Sequence, residues 1–416
     1  MASLARWADA AVYVASLLAA LAVARWESIP LLQQWGNAAV VPYALAAGAA
    51  TTLALAWDRT SPRKRIRLRV AIAVVALGGA LLLPLARAIT DRAEDGRATD
   101  AQSEVILTEE AAAALVDGRD PYAATYDRGP LAGWPPGTRH HLPYLPGELV
   151  FGLPHAGGFP APAGDARVWF LAGAALAVAG ALAIARPRPE RGLPVVLVLF
   201  AFGARSAVGG GDDLPVIGLM VLSLALLDRR RPVAAGLAIG AAAAMKQTAW
   251  PFLPFLILAA RDEAGSPARR KALAAAAAPL AVVVAPFLLW HPGAFIEDVV
   301  LFPLGLAGEP TQAAAPTIGH LLSTVLPTAL ALLPLLVVLA YAGFVIARRP
   351  ALTPARAAEA GALLLAAVVL LSPAGRFGYL LYPLNLLAWS RLVLRRENGV
   401  AILIAHPTVV TQPSSK

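Results

Sequence analysis

Apolar runs of roughly 15 to 25 residues recur along almost the whole chain, and this pattern restricts the possible folds most. A helix needs about 20 apolar residues to cross a bilayer core of about 30 Å. Few of the runs alternate polar and apolar residues, so helices are the expected spanning elements. Hydrophobic residues make up 58% of the 416 residues and charged residues only 15%, less charge than soluble domains carry. The sequence therefore predicts an all-α, polytopic membrane protein.

The basic residues predict how the chain crosses the membrane. They stand in short blocks between the apolar runs, such as 59–69 and 229–231, and the positive-inside rule places such blocks in the cytoplasm. Alternating the sides gives about twelve spanning helices, with both termini cytoplasmic. The predicted spans are 10–24, 38–57, 70–88, 168–185, 193–208, 215–227, 233–245, 250–260, 273–290, 321–346, 358–371 and 379–394. Residues 1–396 then form one transmembrane domain, and 397–416 form a cytoplasmic tail.

Several classes of protein are disfavoured by the residues themselves. The net charge is +9, but the basic residues stand at the predicted cytoplasmic ends of helices and do not form a basic stripe. No nucleic-acid partner is therefore expected. The chain contains no cysteine, which excludes disulfides and thiol chemistry. No metal-binding spacing of histidines is present, and the GGGDD stretch lacks the Lys-Ser/Thr of a phosphate loop. We therefore expect neither a metal nor a nucleotide cofactor.

Residues 89–165 form the longest non-apolar stretch, which the topology places outside the cell. Loops of this length usually carry function, so we expect a catalytic loop with short helices of its own. The sequence TEEAAAALVDGRDPY predicts a helix with Thr108 as its N-cap and Gly118 at its end. Asp100 and Glu104 are four residues apart and would share one face of a helix. A carboxylate partly withdrawn from water can act as a general base, although acidic loop residues are often simply solvated.

Further polar residues are predicted at the external ends of the helices. Asp212 and Asp213 are predicted at the membrane boundary, where a charged side chain costs free energy. Charged residues in such positions are often functional. Lys246 and Arg376 are isolated cations suited to an anionic group such as phosphate, or they snorkel to the interface. The remaining candidates for substrate binding are His140, His141 and Tyr144. Carboxylates and isolated cations without a nucleotide motif favour a lipid-phosphate substrate.

Six stretches together resemble a known family. In chain order they are SEVILTEEAAAALVDGRDPY, HLPYLPGELVFG, GGGDDLPVIGLMVLSLAL, AAGLAIGAAAAMKQTAWPFLPF, FPLGL and SPAGRFGYLLYP. They resemble successive blocks of the GT-C membrane glycosyltransferases, in particular glycosyltransferase family 87. That group contains polyprenol-phosphate-mannose-dependent α-mannosyltransferases and their actinobacterial relatives. The resemblance spans roughly residues 100–392.

The resemblance implies a plasma-membrane enzyme of the cell envelope with an external active site. Its donor would be a polyprenyl-phosphate sugar, its acceptor a glycan or glycolipid, and its reaction an inverting displacement that needs no cofactor. The base then falls on Glu104 or Asp100, and Lys246 with Arg376 would hold the phosphate. Asp212 and Asp213 would line the acceptor side or orient the basic residues.

Two features depart from the family. The catalytic loop here follows the third predicted helix, whereas it normally follows the first, and Glu104 stands where an Asp is expected. A transporter or lipid-linked-saccharide flippase is the alternative, with Asp212, Asp213 and Lys246 as proton or ion relays, although no internal repeat is visible in the sequence. A non-catalytic membrane scaffold is a third possibility. The transporter hypothesis predicts charges near the bilayer midplane and an internal repeat, whereas the enzyme hypothesis predicts that the charges meet in one cavity.

Overall fold

The protein is built from helices, as a computed structural model describing residues 2–95, 100–262, 264, 266–348 and 352–394 shows. No β-strand occurs within these ranges, where the extended pairings are two isolated bridges, Arg261 with Pro267 and Ala314 with Gly375. This confirms the all-α prediction. The predicted tail 397–416 lies outside the described residues.

Seven helices in the described ranges are long and apolar enough to cross a membrane. They are Arg6–Trp26, Pro30–Leu55, Pro62–Glu94, Ala166–Ala185, Arg269–Trp290, Thr328–Arg348 and Pro354–Leu371. This confirms a polytopic membrane protein but not a count of twelve. The third span continues to Asp95, so the first residues of the predicted loop 89–165 are helical.

The other predicted spans correspond to shorter helices. The principal ones are Pro189–Phe200, Ala204–Gly209, Asp213–Asp228, Pro232–Ala243, Leu253–Leu258, Ile318–Val325 and Leu381–Leu392, and the predicted loop contains the helix Ser103–Val116. The prediction of one helix over 193–208 is wrong, because the helix ends at Phe200 and a new one begins at Ala204. The span over 321–346 is interrupted where Leu326 becomes extended ahead of Pro327, as residues before proline commonly do.

Small residues let some of these helices approach closely. A Cβ added to Gly236 would lie 2.3 Å from the Ala272 carbonyl oxygen, and one on Gly240 would lie 2.3 Å from that of Ala276. Helices Pro232–Ala243 and Arg269–Pro279 therefore cross with their backbones almost touching, as membrane helices do through glycines four residues apart. This crossing fixes the helix that leads into Lys246.

The helix in the loop begins earlier than predicted. It runs over Ser103–Val116, with Gln102 rather than Thr108 at its N-cap. Thr108 lies inside the helix, where its hydroxyl donates to the Glu104 carbonyl oxygen at 2.7 Å. Asp100 precedes the helix, so the prediction that it shares a helical face with Glu104 is wrong. The predicted end is confirmed, since Gly118 follows in the left-handed region with φ of 72°.

Candidate active site

A cavity of about 240 Å³ collects most of the polar residues singled out in the sequence. Six of the nine predicted site residues are in its wall, namely His141, Tyr144, Asp212, Asp213, Lys246 and Arg376. They come from four separate parts of the chain, which meet at the ends of helices. Leu335, Leu365, Val368 and Val369 form an apolar part of the same wall. The cavity is therefore amphipathic, with charges in one part and aliphatic side chains in another.

Lys246 forms a closed cluster with the two aspartates. Its Nζ donates to Asp212 Oδ2 at 2.5 Å and to Asp213 Oδ1 at 2.6 Å. The Tyr382 hydroxyl also donates to Asp213 Oδ1, at 2.8 Å. All three charged residues are at most 7% exposed. Losing one member would strand buried charge, so a substitution that breaks this cluster is expected to be strongly destabilising.

The local backbone explains why Lys246 turns inward. Helix Pro232–Ala243 ends shortly before it, and Lys246 itself is extended with φ of −151° and ψ of 140°. Its Nζ lies 5.3 Å from the centre of the Tyr144 ring and 5.6 Å from that of Tyr379. Two aromatic faces and two carboxylates thus surround the ammonium.

Glu104 and Arg376 form a second, more open pair. Arg376 Nη1 donates to Glu104 Oε1 at 3.1 Å. Glu104 is only 4% exposed, whereas the Arg376 side chain is 32% exposed and faces the cavity. A guanidinium has five N–H donors, and this contact uses one of them. Arg376 therefore retains donors that a ligand in the cavity can reach.

Backbone contacts hold this pair in position. Gly375, next to Arg376, donates to the Ala313 carbonyl oxygen at 2.8 Å and accepts from Ala315 at 2.9 Å. On the other side, Gly210 packs directly against Glu104, and a Cβ there would lie 2.5 Å from Glu104 Oε1. Only a residue without a side chain allows this approach, which explains why the middle residue of the GGG stretch, Gly210, is a glycine.

Asp100, the other candidate base, stands apart from the cavity wall. Its backbone carbonyl accepts from Arg167 Nη1 at 2.9 Å, and the same nitrogen donates to the Val208 carbonyl at 3.0 Å. Arg167 is fully buried and also pairs with Asp165 at 2.8 Å. Through these contacts one guanidinium links the start of the loop to the chain just ahead of the glycines.

The comparison with protein families settles the class of the protein. The model of Glycosyltransferase family 87 matches residues 143–373, more than half of the chain. The chain belongs to glycosyltransferase family 87. No curated protein and no solved structure gives a significant match. The family assignment makes this protein a membrane glycosyltransferase.

The family match covers only part of the candidate site. Tyr144, Asp212, Asp213 and Lys246 lie within residues 143–373. Glu104, Asp100, His140, His141 and Arg376 lie outside that range. Their roles in this glycosyltransferase therefore depend on the geometry of the cavity and on the proposals below.

The two histidines differ in their positions. The His141 ring is in the cavity wall, with Nδ1 at 2.8 Å from Asp298 Oδ1 and Phe302 stacked on it at 4.3 Å. His140 lies beside the cavity, between Glu309 at 2.9 Å and Asp127 at 3.0 Å. The hydrogen bond to Glu309, supported by the one to Asp127, raises the pKa of His140 above 6.5. Burial raises the pKa of Asp298.

Sequence reasoning missed several residues that the fold brings to the site. Gln247 donates to the carbonyl oxygens of Pro143 and Val299, at 2.7 and 2.8 Å, and joins two loop segments to the Lys246 segment. Glu148 is 1% exposed, and neither of its carboxylate oxygens has a hydrogen-bond partner among the described residues. Its pKa is raised by burial. The acidic residue within the apolar stretch LPYLPGELVFG was the available signal for Glu148.

Proposed function

We propose that this glycosyltransferase transfers a sugar, mannose, from a polyprenyl-phosphate donor to a glycan or glycolipid acceptor outside the plasma membrane. The reaction would be an inverting displacement in a GT-C-type active site, with no cofactor. The observation that carries the proposal is the amphipathic cavity. Arg376 offers N–H donors beside an aliphatic wall formed by Leu335, Leu365, Val368 and Val369. This combination suits a phosphate attached to a hydrocarbon chain.

The charges of the cavity constrain how a phosphate binds there. Lys246 and Arg376 supply two positive charges, while Asp212, Asp213 and Glu104 supply three negative ones. A phosphate therefore does not find an unpaired cation. Lys246 is enclosed by its two aspartates, so we assign the phosphate contact to Arg376. Asp212 and Asp213 then orient Lys246, one of the two roles considered for them from the sequence.

The Glu104–Arg376 pair allows the charge to redistribute during the reaction. The acceptor hydroxyl oxygen forms a bond to the anomeric carbon, and the bond from that carbon to the phosphate oxygen breaks. The acceptor proton passes to Glu104, which becomes neutral and releases its hold on Arg376. The departing lipid phosphate gains a negative charge at the same moment, and Arg376 pairs with it. The net charge is unchanged, and the electrostatic stabilisation grows in the transition state.

Glu104 is the better candidate for the base. Neither carboxylate is itself in the cavity wall, but Glu104 packs against Gly210 and contacts Arg376, which is in that wall. The Asp100 backbone is held by Arg167, which gives this residue a structural role. Glu104 therefore receives the proton in this mechanism, and Asp100 shapes the turn before it.

The deciding experiment is transfer of radiolabelled mannose from polyprenyl-phosphate-mannose in membranes that contain the expressed protein. Wild type and Asp100→Asn are expected to transfer, and Glu104→Gln is expected to be nearly silent. Equal transfer by all three proteins would refute Glu104 as the base. No transfer by the wild type, with the protein present and folded, would refute the donor. The anomeric configuration of the product, read by NMR, tests inversion.

The external position of the site has its own test, because the chain contains no cysteine. Single cysteines can be introduced at the exposed residues Asp117, in the loop, and Ser61, in the basic block 59–69. A membrane-impermeant maleimide applied to intact cells is expected to label Asp117→Cys and to leave Ser61→Cys unlabelled until the cells are opened. The reverse pattern would place the cavity on the cytoplasmic side.

A further inference from the structure

A second, polar pocket lies directly beside the cavity. It has a volume of about 260 Å³ and shares the His141 side chain with the cavity as a common wall. Its other polar groups are His140, Glu297, Asp298 and Glu309. The two pockets are also joined by Tyr122, whose hydroxyl donates to the Tyr144 carbonyl oxygen at 2.8 Å. A ligand in the second pocket would thus lie next to whatever occupies the cavity.

The lining determines which chemistry this pocket accepts. Three carboxylates face two imidazoles, so an anionic group such as phosphate is repelled. Carboxylate oxygens accept hydrogen bonds, and a ligand with many hydroxyl donors satisfies them without bringing charge. No group of three or more His, Asp or Glu side chains in the described ranges is arranged to hold a metal ion. The lining therefore favours a polyol over an anion or a metal ion.

Two carboxylates of the pocket, Asp298 and Glu309, differ in how many of their oxygens already accept hydrogen bonds. Asp298 is 3% exposed and is fully engaged, since it contacts His141 Nδ1 at 2.8 Å and accepts from the Leu142 amide at 2.9 Å. The Glu309 side chain is 32% exposed and uses Oε1 to contact His140, while its buried Oε2 has no hydrogen-bond partner among the described residues and lies 3.9 Å from His141 Nε2. An unsatisfied buried oxygen costs free energy, which a ligand hydroxyl would recover.

We propose that this second pocket binds a sugar ring of the acceptor, with a ring hydroxyl donating to Glu309 Oε2. The ring then lies behind the His141 wall, and the next sugar of the acceptor reaches over it toward the donor in the cavity. This inference rests on the proposed function for the identity of the ligand as an acceptor. The sugar-binding property of the pocket itself does not depend on that function.

Saturation-transfer NMR tests the pocket on the full-length protein in lipid nanodiscs, with methyl α-D-mannopyranoside as the probe. Wild type is expected to bind the probe, and mannose 6-phosphate is expected to bind more weakly because of the three carboxylates. In Glu309→Gln an acceptor oxygen is replaced by an amide donor of the same shape. We expect binding of the methyl mannoside to weaken by about tenfold.

Asp127→Asn is the matched control. Asp127 contacts the same His140 ring from outside but is not part of the pocket wall. Its variant is expected to bind the probe like the wild type. Size-exclusion profiles and thermal unfolding of both variants verify that they are folded. No binding by the wild type, or equal binding by wild type and Glu309→Gln, would overturn the proposal.

Failure of this inference can be distinguished from failure of the proposed function. Mannose transfer by the wild type together with unchanged probe binding in Glu309→Gln would refute the acceptor pocket alone. Probe binding that Glu309→Gln abolishes, in a protein that transfers no mannose, would support the sugar pocket and refute the donor. In an active enzyme, Glu309→Gln is further expected to raise the KM for the acceptor about tenfold and to leave the KM for the donor within about twofold.

Discussion

The cavity contains two ion clusters whose construction differs. Lys246, Asp212 and Asp213 are all deeply buried, and the Lys246 ammonium is already paired with both carboxylates. Glu104 and Arg376 share one contact, and Arg376 remains a third exposed toward the cavity. The first cluster is suited to hold helix ends together, and the second is suited to exchange partners with a substrate. Two ion clusters beside the same cavity can thus have different roles.

The largest expected effect concerns the open pair. Glu104→Gln removes the proton acceptor and should lower the transfer rate by about 10²–10⁴. Because Arg376 is partly exposed, the unfolding temperature should change little. Glu110→Gln makes the same chemical change on the same helix and should keep its activity. Loss of activity in both variants would indicate damage to the helix rather than loss of a base.

Substitutions in the closed cluster of Lys246, Asp212 and Asp213 should change mainly the stability of the protein. Lys246→Met leaves two buried carboxylates without a counter-ion, and we expect a loss of about 3–5 kcal/mol in the free energy of unfolding. Lys271→Met, at an exposed lysine, is the control and should change little. Adding Asp212→Asn and Asp213→Asn to Lys246→Met should restore much of the stability. A fully stable Lys246→Met protein would contradict the structural role.

A smaller effect is expected from Arg376→Lys. Lysine keeps the charge but loses the planar set of donors, so the KM for the donor should rise by about tenfold. Arg205→Lys, at the Arg205–Glu27 pair, is the matched control and should leave the KM unchanged. An unchanged KM for the donor in Arg376→Lys would refute the assignment of the phosphate contact to Arg376.

The smallest effect lies outside both clusters, at His140. Its pKa is raised above 6.5 in the folded protein by Glu309 and Asp127, so folding favours the protonated ring. The resulting stabilisation is fully present below pH 6.5 and is lost as the pH rises through the raised pKa. The gap in unfolding temperature between wild type and His140→Gln should therefore be wider below pH 6.5 than well above it. A difference in unfolding temperature that increases with pH would contradict this prediction.

Much of the fold was predictable because it depends on local patterns. Long apolar runs predicted helices, and Gly118 predicted where the loop helix ends. Thr108 was misplaced as a cap because a Thr followed by two glutamates looks like a helix start. The helix instead begins five residues earlier, where the Gln102 amide donates to the Gly209 carbonyl oxygen at 2.9 Å, a tertiary contact.

The candidate site was predictable as a set of residues but not as a set of pairs. Charged residues at helix ends stand out in an apolar sequence, which is why Asp212, Asp213, Lys246 and Arg376 could be singled out. Their pairing depends on contacts across the fold, such as Glu104 with Arg376, which lie 272 residues apart. Asp298 gave no signal, because the acidic pair Glu297 and Asp298 in FIEDVV resembles any solvated side chains.

The buried Arg167 has a consequence for motion. It ties the start of the loop to the segment ahead of the glycines, while Glu109 of the loop helix is tied to Arg92 at 2.5 Å. This part of the loop cannot swing away without breaking several buried ion contacts. We expect slow hydrogen exchange over Ser103–Val116. We expect the cavity to open to a lipid through the aliphatic part of its wall, to which Leu335 and Leu365 contribute from two helices.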